Sequence, residues 1–252
     1  MARAVNLERW PIHAQFASII SKARASLAAT GCASFPSFLS TDGLHDAAAE
    51  ARMLAPRAHI TDAHHNAYQL ATDPALSATH TRNLQMRTQV ASNAFDELSE
   101  RSALRQLYEW DGLQAFLSEL LGRPCHRLAD PLGCCSINVF RPGWEHAWHF
   151  DESETTITLC LQAADAGGEF QYTPPIRSSS EDLSLSAVSR VLLHHSHYWP
   201  STLDEPPTST SLGAPPISTA AFQPGTLQVF NGRYSLHRVA PIQGERDRLV
   251  AV

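Results

Sequence analysis

The sequence predicts an α+β protein with a mainly helical N-terminal region and a β core of the jelly-roll or barrel kind. Two observations carry this. Apolar residues recur at helical spacing through much of residues 12–122, and after Pro124 the pattern changes to short apolar or alternating segments divided by turn signals. A chain of 252 residues can bury the core of such a fold without disulfide or metal staples.

The helical part opens with Phe16, Ile19, Ile20, Ala23 and Leu27 on one face and Gly31 as a stop. A second helix is expected from Thr41–Asp42, with Leu44, Ala47, Ala48, Ala51 and Leu54 on one side and Pro56 ending it. Residues 59–95 are polar, rich in His, Asn and Thr, and assigned only loosely. The helical pattern returns with Leu98, Leu104, Leu107 and Tyr108, then Leu113, Phe116, Leu117 and Leu120, closed by Gly122. The strand-like segments are 135–140, 147–150, 155–161, 169–172, 188–194, 226–230, 234–239 and 248–252. Arg-Pro-Gly at 141–143, Ala-Gly-Gly at 166–168, Pro-Gly at 224–225 and Asn-Gly at 231–232 separate them. The Ser-, Thr- and Pro-rich stretch 200–219 reads as a surface loop. The last strand stops at Val252, which reads as a short or truncated C-terminal end. Residues 1–124 are thus expected as a helical region packed on a barrel of 125–252, the two making one structural domain.

Composition narrows the function by exclusion. A formal charge of -6 argues against a nucleic-acid surface, which needs a basic stripe. The N-terminus carries charges and Pro11 where a secretion signal needs an apolar run, and no stretch approaches the roughly 18 apolar residues of a membrane span. Five cysteines without metal-knuckle spacing suggest reduced, buried thiols in a cytoplasmic protein. The expected partner is a small-molecule substrate, with no nucleic acid and no membrane.

Chemistry concentrates in residues 145–152, where His149 and Asp151 stand two apart and project to one face of a strand. His237, in the later segment 230–239, is the best third ligand. Two imidazoles and one carboxylate on one face of an octahedron form the facial triad of non-haem Fe(II) oxygenases, whose opposite face stays open. A structural zinc site would be closed and tetrahedral and would favour thiolates. Arg246 and Arg248 follow His237 on a strand where a cation can grip the distal carboxylate of 2-oxoglutarate. Arg248 is favoured because it lies in the final strand with Val250 and Val252, whereas Arg246 sits nearer the Gly244 turn. His194, His195 and His197 form a competing cluster if that segment is a strand, but no carboxylate and histidine follow at barrel spacing. His64–His65 lacks a third partner.

With HxD at 149–151, GGEF at 167–170, PGxLxxF at 224–230, GRxSLH at 232–237 and the arginine beyond, the chain resembles the 2-oxoglutarate/Fe(II) dioxygenase superfamily over residues 125–252. A closer resemblance is to its branch of free-amino-acid hydroxylases and halogenases. It is carried by residues 128–133, 148–151, 176–177, 66–68 and 235–239. The resemblance implies a double-stranded β-helix, with Fe(II) as metal and 2-oxoglutarate and O2 as cosubstrates. Halogenases of that branch have Gly or Ala where this chain has Asp151, so hydroxylation of a C–H bond is the expected outcome. Polar residues at the places of His146 and Glu152 contact substrate in amino-acid-modifying relatives. Glu152 would meet an amino group, His146 a carboxylate or side-chain end, and Arg177 a substrate carboxylate; each can also be a plain surface residue. Trp148 reads as core, and Asn66 and Tyr68 as part of a lid. Two other functions remain open here, a protein or peptide side-chain hydroxylase and a non-catalytic, metal-binding cupin-like module.

Overall fold

Local signals place the first helices where the periodicity puts them. In the computed structural model, which describes residues 4–5, 17–195 and 213–252, helix α1 spans Ala17–Thr30 and buries Ile20, Ala23 and Leu27. Gly31 ends it with φ +82°, a conformation open to glycine at little cost. Strand β1 (Cys32–Phe35) follows directly. Helix α2 (Thr41–Leu54) starts at Ser40, whose hydroxyl accepts from the Gly43 amide at 3.1 Å, and buries Ala47, Ala48, Ala51 and Leu54.

Residues 59–95, loosely assigned from sequence, form a strand pair. Strand β2 (His59–His65) and strand β3 (Met86–Asn93) run antiparallel, from His59 opposite Ser92 to His65 opposite Met86. The reason their period is hidden is positional. β2 is the outermost strand of its sheet and almost wholly exposed, and the inward side of β3 includes Thr88 and Asn93 beside Met86 and Ala91. The N-terminal half is therefore helical and stranded in turn. Helices α3 (Ala103–Tyr108) and α4 (Asp111–Leu121) complete it, with Gly122 closing α4.

The later strands are β4 (Ile137–Phe140), β5 (His146–His149), β6 (Thr156–Gln162), β7 (Ala166–Gly167) and β8 (Phe170–Tyr172). After helix α5 (Leu185–His195) come β9 (Ser218–Thr219), β10 (Leu227–Phe230), β11 (His237–Val239), β12 (Ile242–Gln243) and β13 (Arg248–Ala251). The segment 188–194 thus corrects the sequence expectation, being helix rather than strand. Val188, Val191 and Leu192 are fully buried at i, i+3 and i+4, the helical repeat, and the Ala187 and Val188 amides bond back to Ser184 O. With 188–194 helical, His194 sits exposed on α5 and no strand face joins the histidines there. The His195 side chain, His197 and most of the 200–219 loop lie outside the described residues.

Antiparallel pairing builds a major sheet in the order β1-β10-β6-β13-β4-β3-β2 and a minor one in the order β5-β11-β8-β9, with β12 and β7 paired separately. The outer face of the major sheet packs Phe35, Ile137, Val139, Leu159, Val229 and Leu249 against α1, α2 and α4. A second cluster packs Trp148, Phe150 and Leu236 against Val188, Val191 and Leu192 of α5. Trp148 is core, as its parity suggested. All five cysteines are free, and no described helix is long and apolar enough to cross a membrane.

Candidate metal centre

Strands β5 and β11 are neighbours, and their register pairs His149 with His237. The two imidazoles come within 4.3 Å, centroid to centroid. Asp151 lies just past the end of β5, where its amide donates to Gly232 O at 3.0 Å. Its Oδ1 stands 3.4 Å from Nε2 of His149 and 3.4 Å from Nε2 of His237. Among the described residues, this is the group of His, Cys, Asp or Glu whose donor atoms converge, all within 4.8 Å of one another.

The tautomers follow from the hydrogen bonds. His149 Nδ1 is 2.7 Å from Ala147 O, and His237 Nδ1 is 2.9 Å from Ser235 O. A carbonyl only accepts, so each Nδ1 carries the proton and each Nε2 offers a lone pair toward Asp151. Carbonyl-held imidazoles of this kind are oriented as metal ligands. Burial lowers the His149 pKa below its usual 6.5, which favours the neutral, ligating form. Burial would raise the Asp151 carboxyl, but the two imidazoles beside it, His237 foremost, outweigh it and hold the group well below the carboxylate range. The donor set, two imidazoles and one carboxylate, suits iron with an open face and fits neither a thiolate zinc site nor an all-oxygen calcium site.

Residues without a motif complete the surroundings. Thr156 Oγ1 donates to Asp151 Oδ2 at 2.5 Å. Any side chain at Gly232 would collide with Asp151 Oδ2 and Thr156 Oγ1, so this turn needs glycine for close approach. His65 Nδ1 lies 3.0 Å from Asn66 O and its Nε2 2.6 Å from Thr88 Oγ1, while Thr88 Oγ1 accepts from the Ala147 amide at 3.0 Å. With the Ala67 carbonyl on the Phe150 amide and Gln89 N on Glu145 O, the β2–β3 unit closes the free edge of the ligand-bearing strand. His64–His65 is therefore a strand end, with His65 supporting the site.

The structure separates the remaining candidates. His146 stacks on His149 at 3.8 Å with an interplanar angle of 12°, and burial holds its pKa well below 6.5. Glu152 is exposed, and its backbone carbonyl accepts from Arg233 Nε at 2.8 Å. Arg177 lies 4.0 Å over the Phe150 ring, and its Nε donates to Arg233 O, so Glu152 and Arg177 meet at Arg233. Arg248 is 5% exposed, lies over the rings of Phe140 and Phe222, and has no hydrogen-bond or ion-pair partner among the described residues. Desolvation pushes its pKa down to about 10. Arg246 is instead exposed and paired with Asp165 at 2.8 Å. Asn66 and Tyr68 are buried. Asn66 Oδ1 accepts from the Tyr68 and Leu70 amides, and Tyr68 donates to Leu183 O. These bonds anchor the loop in the described structure.

Residues 16–252 match the family described as halogenase D. No curated protein sequence matches the chain. Among solved structures, a 2OG-Fe(II) oxygenase family oxidoreductase from Burkholderia pseudomallei is similar over 92% of this chain and 88% of that one, at 15% identity and TM-score 0.54. A Pseudomonas putida prolyl-4-hydroxylase is similar over 92% and 95%, at 16% identity and TM-score 0.52. HygX from Streptomyces hygroscopicus, solved with nickel, 2-oxoglutarate and hygromycin B, is similar over 91% and 84%, at 12% identity and TM-score 0.53. The likeness is one of fold, a double-stranded β-helix whose two facing sheets are those described above.

Proposed function

The chain belongs to the halogenase D family, within the 2-oxoglutarate/Fe(II) oxygenases, and from this premise we propose that it hydroxylates an unactivated C–H bond of a small polar metabolite, a free amino acid or a derivative of one. The enzyme is a non-haem iron oxygenase that takes 2-oxoglutarate as cosubstrate. When bound, the iron supplies activation of O2 coupled to the conversion of 2-oxoglutarate into succinate and CO2. His149, Asp151 and His237 would hold the metal. Arg248 would hold the far carboxylate of 2-oxoglutarate, because a guanidinium buried without an anion is costly and presents a fork suited to a carboxylate.

One observation carries hydroxylation over halogenation. Asp151 places Oδ1 3.4 Å from both ligand nitrogens. Halogenases of the resembled branch have Gly or Ala there, which leaves the position to halide. With Asp151 in place the protein supplies an oxygen instead. On the substrate side, Arg177 is half-buried, with Asp182 acting on it only through space and no direct ion pair among the described residues, which leaves its guanidinium suited to a substrate carboxylate. Exposed Glu152 suits an amino group, and His146 a polar end near the metal. Free thiols throughout fit a reducing cytoplasm.

The test is succinate release with Fe(II), 2-oxoglutarate and O2 across a panel of free amino acids, their derivatives and short peptides, with the product mass measured in the presence of chloride. A substrate-dependent rise in succinate and a gain of one oxygen are expected for a free amino acid or derivative. Chlorine isotope spacing in the product would overturn the role given to Asp151. Turnover confined to peptides would move the substrate class to side chains of a polypeptide.

A further inference from the structure

We propose that Thr156 is a positioning residue for the iron ligand Asp151, selecting which carboxylate oxygen the metal receives and keeping the carboxylate a one-oxygen ligand. The proposal rests on the iron-site reading of His149, Asp151 and His237.

A carboxylate can bind a metal through one oxygen or both, and a facial triad needs the first mode to keep its open positions. In this site the two oxygens of Asp151 have different surroundings. Oδ1 faces Nε2 of both histidines at 3.4 Å. Oδ2 accepts the Thr156 hydroxyl at 2.5 Å, and it has no other hydrogen-bond donor among the described residues. A hydroxyl on a carboxylate makes a short, charge-assisted bond, and the β-branched threonine has few rotamers through which to release it.

The donor is also well anchored. Thr156 opens β6 in the major sheet, where it pairs with Phe230 of β10. The turn after β10 carries Gly232, whose carbonyl accepts the Asp151 amide. Gly232 leaves the space in which Oδ2 and the Thr156 hydroxyl meet. One stretch of the major sheet thus holds Asp151 by its backbone and by one oxygen, while both histidines come from the minor sheet. Thr156 aligns the ligand from one sheet with the two ligands from the other.

The experiment measures Co(II) binding to the purified, metal-free protein by calorimetry, together with the visible spectrum of the Co(II) form, which reports coordination number. The comparison is between the unaltered chain, Thr156→Ser, Thr156→Val and Asp151→Ala. Thr156→Ser keeps the donor and is expected to bind like the unaltered chain. Thr156→Val is expected to lose about 10- to 100-fold in affinity, as losses of outer partners do, and to change the spectrum. Valine binding within twofold, with an unchanged spectrum, overturns the proposal while the iron site stands. Equal binding by the unaltered chain and Asp151→Ala overturns the iron-site reading, and the role of Thr156 with it. If circular dichroism shows the valine variant unfolded, Thr156→Ala carries the same comparison.

Discussion

Arg246 and Arg248 share strand parity, so alternation cannot separate them; their surroundings can. Arg246 extends into solvent beside Asp165, whose Oδ2 also accepts the Glu245 and Arg246 amides, making it a surface turn. Arg248 faces inward opposite Phe140 and has no ion partner among the described residues. Two hydrogen bonds to a charged group are together worth roughly 3 kcal/mol, about a hundredfold in affinity. Arg248→Ala is therefore expected to weaken 2-oxoglutarate binding by about that factor, measured by calorimetry with the metal-loaded protein in the absence of O2. Arg246→Ala should stay within about 0.5 kcal/mol of the unaltered protein. Equal losses from the two would argue for a binding role at the turn. The same contrast shows what was legible residue by residue. His149, Asp151 and His237 announce themselves through spacing and chemical type. Thr156 and Thr88 do not, because a threonine near a motif has no signature until the fold brings its hydroxyl to a partner far away or around a turn.

Elements were legible where burial imposes a period and hidden where it does not. In α2, Ala47, Ala48, Ala51 and Leu54 face the core, and Ser40 supplies the start. β2 is an edge strand with little buried surface, so its sequence carries no alternation to read. α5 misleads for another reason. Its Val-Leu-Leu run at 191–193 fits a short buried strand as well as a helix, and only the inward positions decide. A strand would alternate, placing Val188, Arg190 and Leu192 together; the helix buries Val188, Val191 and Leu192. Leu192→Ala should therefore cost about 2–5 kcal/mol through the cavity it leaves. His194→Ala, two residues further along and exposed, should change stability by less than about 0.5 kcal/mol. Urea unfolding measures both, and similar small effects from the two would place α5 away from the core.

At the scale of the whole molecule, the strand count and turn punctuation suggested a jelly roll, but the sheet order could not be read. β10 pairs with β1 and β6, and β13 with β4 and β6, contacts that join distant segments without local signals. That closure has an electrostatic consequence. It brings His65, His146 and His149 into one interior, where burial lowers the pKa of each below 6.5. In the unfolded chain the same imidazoles titrate near 6.5. Above that value both states are neutral at these positions, and the stability they contribute is fully present. As pH falls through 6.5 the unfolded chain takes up protons that the folded one refuses, so stability is lost until the lowered folded values are reached. Each histidine adds a slope of up to about 1.4 kcal/mol per pH unit. Asp151, held below its usual range, acts in the same direction at lower pH. In the presence of a chelator, urea unfolding at pH 7.5, 6.0 and 5.0 should show a loss of stability already between the first two conditions, because pH 6.0 lies below the unfolded value, and a steeper fall per pH unit toward the third. His146→Phe should make the fall shallower, because a ring that binds no proton replaces one that does. An undiminished slope in that variant would mean that His146 gains its proton in the folded state as readily as in the unfolded one, and that the interior around the ligands is open to water.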